Sequence, residues 1–267
     1  LFIKGVTVNL GNLTWYRLSE LPDSPYRLGR HVRHDARSLN YAQGVLPKAA
    51  IKTVAWQRRI PILDQGDLGS CTGNALTGLL GTDSATRTAS PTLTVKADPY
   101  GIFTAGTYTL NEAFAVKGYS LNTHEDTYDG DYPPTDTGSD TLSCGKSAVD
   151  LGVATGYTHA FSIDALKSGL QSGPALWGTV WLNSMFNTDS KGNLKVTKSS
   201  GVAGGHELCI TGYDATAKVF TVANSWGATW GDEGYCYVKE ADMTWLLSQD
   251  GDAAFVAVTV DSPTPVP

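Results

Sequence analysis

Two hydrophobic periodicities divide this chain, and they follow one another instead of alternating. From Ser70, the residues Ala75, Leu76, Leu79 and Leu80 recur at i, i+1, i+4 and i+5 before a stop at Gly81, the apolar stripe of a helix. Residues 111–116, 146–151 and 162–170 read as further short helices, with Ser162 placed to cap the last. After Gly173-Pro174 strands are predicted at 175–181, 208–213, 219–223 and 235–238, separated by Gly, Asn and Asp turns. Helices first and strands second exclude an alternating βαβ sheet. They predict an α+β protein with a helical lobe over about 61–160 and a strand-rich, β-barrel-like lobe over about 161–260. With 267 residues, 41% of them hydrophobic, the chain can bury a core without disulfides or metals. Its longest apolar runs, such as 253–258, fall far below the roughly 18 residues that span a bilayer, so a soluble chain with no membrane partner is expected. The start Leu1-Phe2-Ile3-Lys4 lacks a signal-peptide layout and is not Met, which leaves the compartment open.

The net charge of −6 hides an asymmetry. Residues 1–60 carry ten basic and three acidic side chains, so the remaining 207 residues hold ten bases and 23 acids. The chain therefore reads as a basic arm (1–50), a body (51–260) and a proline-rich tail (261–267). The arm contains Pro22, Pro25 and Pro47 with one alternating stretch, Val6-Thr7-Val8-Asn9-Leu10, which predicts a strand followed by extended chain. Opposite charge lets the arm dock on its own body as a clasp or pro-segment, or reach a nucleic acid or another acidic partner.

Four cysteines, at 71, 144, 209 and 236, form no Cys-x-x-Cys pair, which removes zinc-ribbon readings. Cys71 stands apart from the others because it opens the first helix. Unpaired N–H groups and the helix dipole there favour a thiolate. An inert buried thiol is the plain alternative. Downstream, Gly204-Gly205-His206-Glu207 puts a histidine after a glycine turn, and Ala223-Asn224-Ser225-Trp226-Gly227 puts an asparagine at a strand end. The separations are 135 residues from Cys71 to His206 and 18 from His206 to Asn224. Any one of these pieces would be weak alone. Together with Gln65 six residues before Cys71, Gly212-Tyr213-Asp214, Trp230-Gly231 and Gly234-Tyr235, they resemble the papain-like cysteine peptidases over about residues 51–258.

That resemblance implies an endopeptidase that cleaves peptide bonds through a thioester, with no metal or cofactor. Cys71 would be the nucleophile and His206 its base and later acid. Asn224 would orient the imidazole, and Gln65 would donate to the oxyanion together with the Cys71 amide. Trp226 would shield the Asn224–His206 bond. Gly205, Glu207 and Trp226 would border substrate, with Glu207 beside a side-chain pocket where it would favour Lys, Arg or a diamino acid; an exposed strand charge is the alternative. The chain departs from plant and lysosomal members at Leu68, which removes a neighbouring disulfide, and at Thr72, where they carry an aromatic. No glycine-rich substrate-binding strand is identifiable between 81 and 120. The Gly-Ser-Cys-Thr form and Asp136-Thr137-Gly138-Ser139 are similar to a bacterial and actinobacteriophage branch, which brings in a phage origin and a virion assembly as partner.

Alternatives stay open at this level. A papain-like fold could serve as a non-catalytic docking module of an assembly, or the substrate could be bacterial cell-wall peptides. The six acids at 125–140 read as a solvated acidic loop, since the order of ligands in a calcium loop is missing. Cys144, Cys209 and Cys236 read as reduced core thiols with one disulfide still available, His31 and His34 as surface residues, and Trp181 as a buried or cleft-lining ring.

Overall fold

The computed structural model describes Ser24 and residues 26–259. The strand expected at 6–10 and the tail at 261–267 lie outside the described residues. In chain order the main elements are β1 (Val54–Ala55), α1 (Cys71–Leu80), β2 (Thr92–Val95), β3 (Gly106–Thr109), α2 (Glu112–Glu125), α3 (Thr141–Asp150), β4 (Ala154–Ala160), α4 (Ile163–Leu170), β5 (Ala175–Leu182), β6 (Val202–Asp214), β7 (Val219–Ala223), β8 (Tyr235–Lys239), α5 (Glu240–Leu247) and β9 (Asp252–Val258).

Seven strands form one antiparallel sheet in the order β4-β9-β5-β6-β7-β8, and β1 continues the β5 edge of β6 by pairing with Gly212 and Tyr213. The sheet ends at β4 and β8, so it is open and not the barrel-like closure expected from the strand count. Every residue of β5 is buried, because β5 lies between β9 and β6 and both its faces are covered. Alternation sorts side chains between two cores. Trp177, Leu208, Ile210, Phe220, Val222 and Ala253 face the core shared with α4 and α5. Their neighbours Leu176, Cys209, Ala223 and Ala254 face the core shared with α1 and α3.

The helices start where side chains can cap them. Ser162 accepts from the Ala165 amide, Asn111 from Phe114 and Asp140 from Ser143, each satisfying an N–H that the first helical turn leaves free. Helices α2 and α3 run well past the short segments expected. In α2, Gly118 and polar Ser120, Asn122 and Thr123 are buried and blur the apolar stripe. In α3, Thr141, Ser143 and Ser147 are buried with the same effect. All ten residues of α1 are buried, and α1 crosses α2 so closely that a Cβ on Gly73 would sit 2.1 Å from Ala115 O and 2.5 Å from Tyr119 N. Backbone cannot yield there as a flexible side chain would. Gly73→Ala should therefore lower stability by about 1–3 kcal/mol from overpacking, although the same change in an open helix would add about 1 kcal/mol. Urea unfolding followed by circular dichroism reads the sign.

Candidate active site

Helix α1 and strand β6 bring the separated sequence pieces together. Cys71 is the first residue of α1, and its sulfur takes backbone hydrogen bonds from Glu207, the residue after His206, and from Gly29. His206 lies in β6 with Nε2 2.7 Å from Asn224 Oδ1. The same oxygen accepts the Ser225 amide at 2.8 Å, which fixes it as the carbonyl side of the amide. Nε2 therefore carries the ring proton, and Nδ1, buried without a hydrogen-bond partner, is the free basic nitrogen. Trp226 stacks on the imidazole at 4.6 Å and Trp181 meets it edge-on at 4.8 Å, so both rings exclude water from the His206–Asn224 bond. Gln65 is tied to the same strand end. Its amide donates to Ser225 O at 2.9 Å, Ser225 Oγ donates to Gln65 Oε1 at 2.7 Å, and Gln65 Nε2 donates to Leu68 O.

A stretch of the basic arm runs directly across these residues. Tyr26 stacks on Trp226 at 4.7 Å, and Trp226 Nε1 donates to Arg27 O at 3.1 Å. The Ser139 amide donates to Gly29 O, the Arg30 amide to Gly205 O and the His31 amide to Ser139 O, at 2.9–3.1 Å. The crossing is sized for backbone alone. A Cβ on Gly29 would lie 1.9 Å from Gly69 O, and those on Gly138 and Gly205 would each lie 2.4 Å from the segment's carbonyl oxygens. Arg27 pairs with Asp136 and Arg33 with Asp250, both with the arginine about half exposed. The Arg30 side chain is fully buried between Asp252 at 2.8 Å and Glu207 at 3.4 Å.

Comparison with known proteins agrees with this geometry. The family model described as "Papain family cysteine protease" matches residues 103–250, more than half of the chain, and includes His206 and Asn224. The chain belongs to the papain family. The match begins after Gln65 and Cys71, so those two rest on the geometry above. An uncharacterized peptidase C1-like protein of Acanthamoeba polyphaga mimivirus is 32% identical over 102 residues, covering 34% of this chain and 33% of that protein. The gamete and mating-type specific protein A of Dictyostelium discoideum is 28% identical over 207 residues, 71% of this chain and 43% of its own length. The chain thus spans a third to under half of these relatives. The crystal structure of xylellain, a cysteine protease from Xylella fastidiosa, superposes with a TM-score of 0.63 at 17% identity over 90% of this chain and all of that one, and shows the same fold.

Several sequence expectations change in this papain-family site. Glu207 is not an exposed strand charge; it is fully buried against Arg30 and Thr141. The acidic stretch at 125–140 is only partly a solvated loop. Asp140 is buried as the α3 cap, and Asp136 accepts the Gly69 amide at 3.0 Å and the Tyr119 hydroxyl at 2.7 Å. His31 is half-buried, stacked 3.3 Å from Tyr128, and burial beside Arg30 brings it down to about 4. Cys144, Cys209 and Cys236 are buried free thiols. The backbone rail sought between 81 and 120 is Gly138-Ser139, which pairs with the arm. Sequence reading noted those two residues without giving them this role, and it passed over Asp252, Thr141, Ser225 and Arg30.

Burial also reverses the thiolate expected at the helix start. It pushes Cys71 up to about 12, aided by the Glu207 charge and only partly opposed by the two backbone hydrogen bonds and Arg30. It brings His206 down to about 4 against the pull of the Asn224 hydrogen bond. With residues 26–31 in place both partners are therefore neutral near pH 7. At pH 8, Cys71 in the full chain should alkylate with iodoacetamide about a thousandfold more slowly than a free cysteine, the ratio of their thiolate fractions. Gly29→Leu, which cannot pass Gly69 O, should raise that rate at least about tenfold. Peptide mass spectrometry resolves Cys71 from the other three thiols.

Proposed function

We propose that the chain is a cysteine peptidase that cleaves peptide bonds through a thioester on Cys71, held closed by its own residues 26–34. The carrying observation is the His206 ring, with one nitrogen bound to the Asn224 carbonyl and the other free beside the Cys71 helix start. His206 Nδ1 takes the Cys71 proton as sulfur attacks the substrate carbonyl, and the C–N bond breaks as that proton passes to the leaving amine. Water then attacks the thioester, with Nδ1 again the base, which releases the acid and restores the thiol. The Cys71 amide at the start of α1 and the Gln65 side chain, whose second N–H is not used by Leu68, supply the oxyanion donors. Asn224 and Trp226 position the base.

Closure follows from the same residues. The segment occupies the backbone rail at Ser139 and Gly205 and covers Trp226, so substrate and segment exclude each other. Four of the arm's arginines, at 27, 30, 33 and 37, have carboxylate partners within the protein. That supports the reading in which the basic arm serves the body and not an outside acidic partner.

The test uses the full chain carrying Gly29→Leu. It should hydrolyse a peptide library and lose at least about 10³-fold in kcat/KM when Cys71→Ser or His206→Ala is added. Asn224→Ala should cost about 10–10²-fold, as expected for a positioning residue. The wild-type full chain should be slower than Gly29→Leu on every peptide. Free alkylation of Cys71 without hydrolysis of any peptide would overturn the peptidase reading, and equal rates for the two chains would overturn closure.

A further inference from the structure

Three strands build a pocket beside Cys71 from one row of the sheet. Gly178 of β5 pairs across to Glu207 of β6 on one side and to Asp252 of β9 on the other. Direct cross-strand partners point to the same face, so two carboxylates flank a position with no side chain. The gap is required. A Cβ on Gly178 would lie 2.0 Å from Arg30 Nε and 2.4 Å from Thr141 Oγ1. A glycine in the middle of a fully buried central strand weakens that strand unless something must approach its backbone. Here the guanidinium of Arg30 does.

Each nitrogen of that guanidinium has a distinct neighbour. Nη2 donates to Asp252 Oδ1 at 2.8 Å and Nε faces Glu207 Oε2 at 3.4 Å. Nη1 donates to His31 O at 2.8 Å and Val32 O at 2.9 Å, within its own segment. Thr141 Oγ1 lies 2.9 Å from Glu207 and 2.8 Å from Asp252, and His159 Nδ1 is 2.9 Å from Asp252 Oδ2. Glu207 Oε1 is buried without a partner, so the pocket has acceptor capacity beyond what Arg30 uses. Buried carboxylates require a cation, because an unpaired charge in a dry interior is strongly unfavourable. When residues 26–34 leave the cleft, the Glu207–Asp252 row loses its cation.

We propose that this row is the specificity pocket of the active site and that it takes the arginine side chain of a peptide substrate. The inference rests on the peptidase reading above. Arg30 hangs from an amide bonded to Gly205 O, one residue from Gly29, whose backbone meets the Cys71 sulfur. A substrate residue on the same Gly205 carbonyl has the same distance to span to the carboxylates, so the selected position is next to the residue held over the nucleophile. Arginine is favoured over lysine because a planar fork reaches Glu207 and Asp252 together, whereas an ammonium is a point charge.

A peptide series varied one position at a time, run with the full chain and with Gly29→Leu, tests this. Closure lowers kcat/KM by one factor for all substrates, so ratios are comparable between the two chains. At a single position arginine should exceed leucine by about 10²-fold and lysine by about tenfold. Glu207→Gln and Asp252→Asn should each cut the arginine-to-leucine ratio about tenfold, and Gly178→Ala should abolish it. Turnover without arginine preference, or a preference these variants leave unmoved, overturns the pocket while the peptidase reading stands. A second measurement needs no turnover. In the full chain carrying Arg30→Ala, millimolar ethylguanidinium should raise the melting temperature, or restore folding if the variant does not fold, more than ethylammonium does. Equal effects of the two cations overturn the inference.

Discussion

The seam between α1 and the central strands is the contact on which the active site depends. Cys71 belongs to a helix and His206 to a strand 135 residues later, so their geometry is only as good as the packing that joins those elements. That packing is apolar and closed. Leu76, Leu79 and Leu80 of α1 share one core with Leu176 of β5, Cys209 of β6, Ala223 of β7 and Ala254 of β9. Four of these seven side chains are large and three are small, which lets helix and sheet approach without a layer of flexible residues between them. Interiors packed at this density move little. The asparagine and glutamine are fixed through the same seam, because the strand end 224–226 reaches back to Asp64 and Gln65 through backbone pairing.

Against this rigid frame the charges are arranged unusually. Arg30, Glu207 and Asp252 are all fully buried, at a position where hydrophobic residues would make a more stable core. Burial alone would raise Asp252; the His159 hydrogen bond and the Arg30 charge bring it down to about 2 instead. Burial also pushes Glu207 up, against the pull of Arg30. The cluster is therefore held together by its only arginine, and that arginine belongs to the segment that blocks the cleft. Site and block are coupled through one cation. Closing the cleft neutralises the pocket and dries Cys71 and His206; opening it wets all four groups at once and removes the burial that keeps the thiol and imidazole neutral.

How much of this was legible depended on whether a residue's role is local. The start and end of α1, the Ser162 cap, and β7 followed from periodicity and end signals, because those depend on neighbours within a turn. Gln65, Cys71, His206 and Asn224 were legible as a pattern of residue types around glycines and tryptophan. Strands β4 and β9 were not. Ala154-Thr155-Gly156-Tyr157-Thr158-His159-Ala160 carries no alternation, since its fit is set by pairing with β9, and β9 itself mixes Asp252 and alanines. Asp252, 46 residues beyond His206, has no local mark of function, and neither does Arg30 among ten bases in the first 60 residues. The acidic total of the body and the basic total of the arm pointed to their attraction but could not say that one pair of opposite charges would be buried while the others stayed at the surface.

The glycines sharpen what selectivity can mean in such a cleft. Gly29, Gly69, Gly138 and Gly205 crowd the crossing so tightly that a Cβ on any of them would meet another atom within 2.6 Å. Gly138 is also held at a φ of +74°, where other residues are strained. A chain passing here is gripped by backbone hydrogen bonds, and those bonds are the same for every sequence. They supply affinity without discrimination. Discrimination has to come from the first place beside the crossing where the protein leaves room for a side chain, and that place is the row where β5 carries Gly178 between two acids. A row lined with aliphatic residues would separate substrates by size, worth only one or two orders of magnitude. A buried pair of carboxylates separates them by charge, because a neutral side chain leaves both acids without a partner. The fold thus divides the labour: the glycine slot reads that the ligand is a peptide, and the acidic row reads which one.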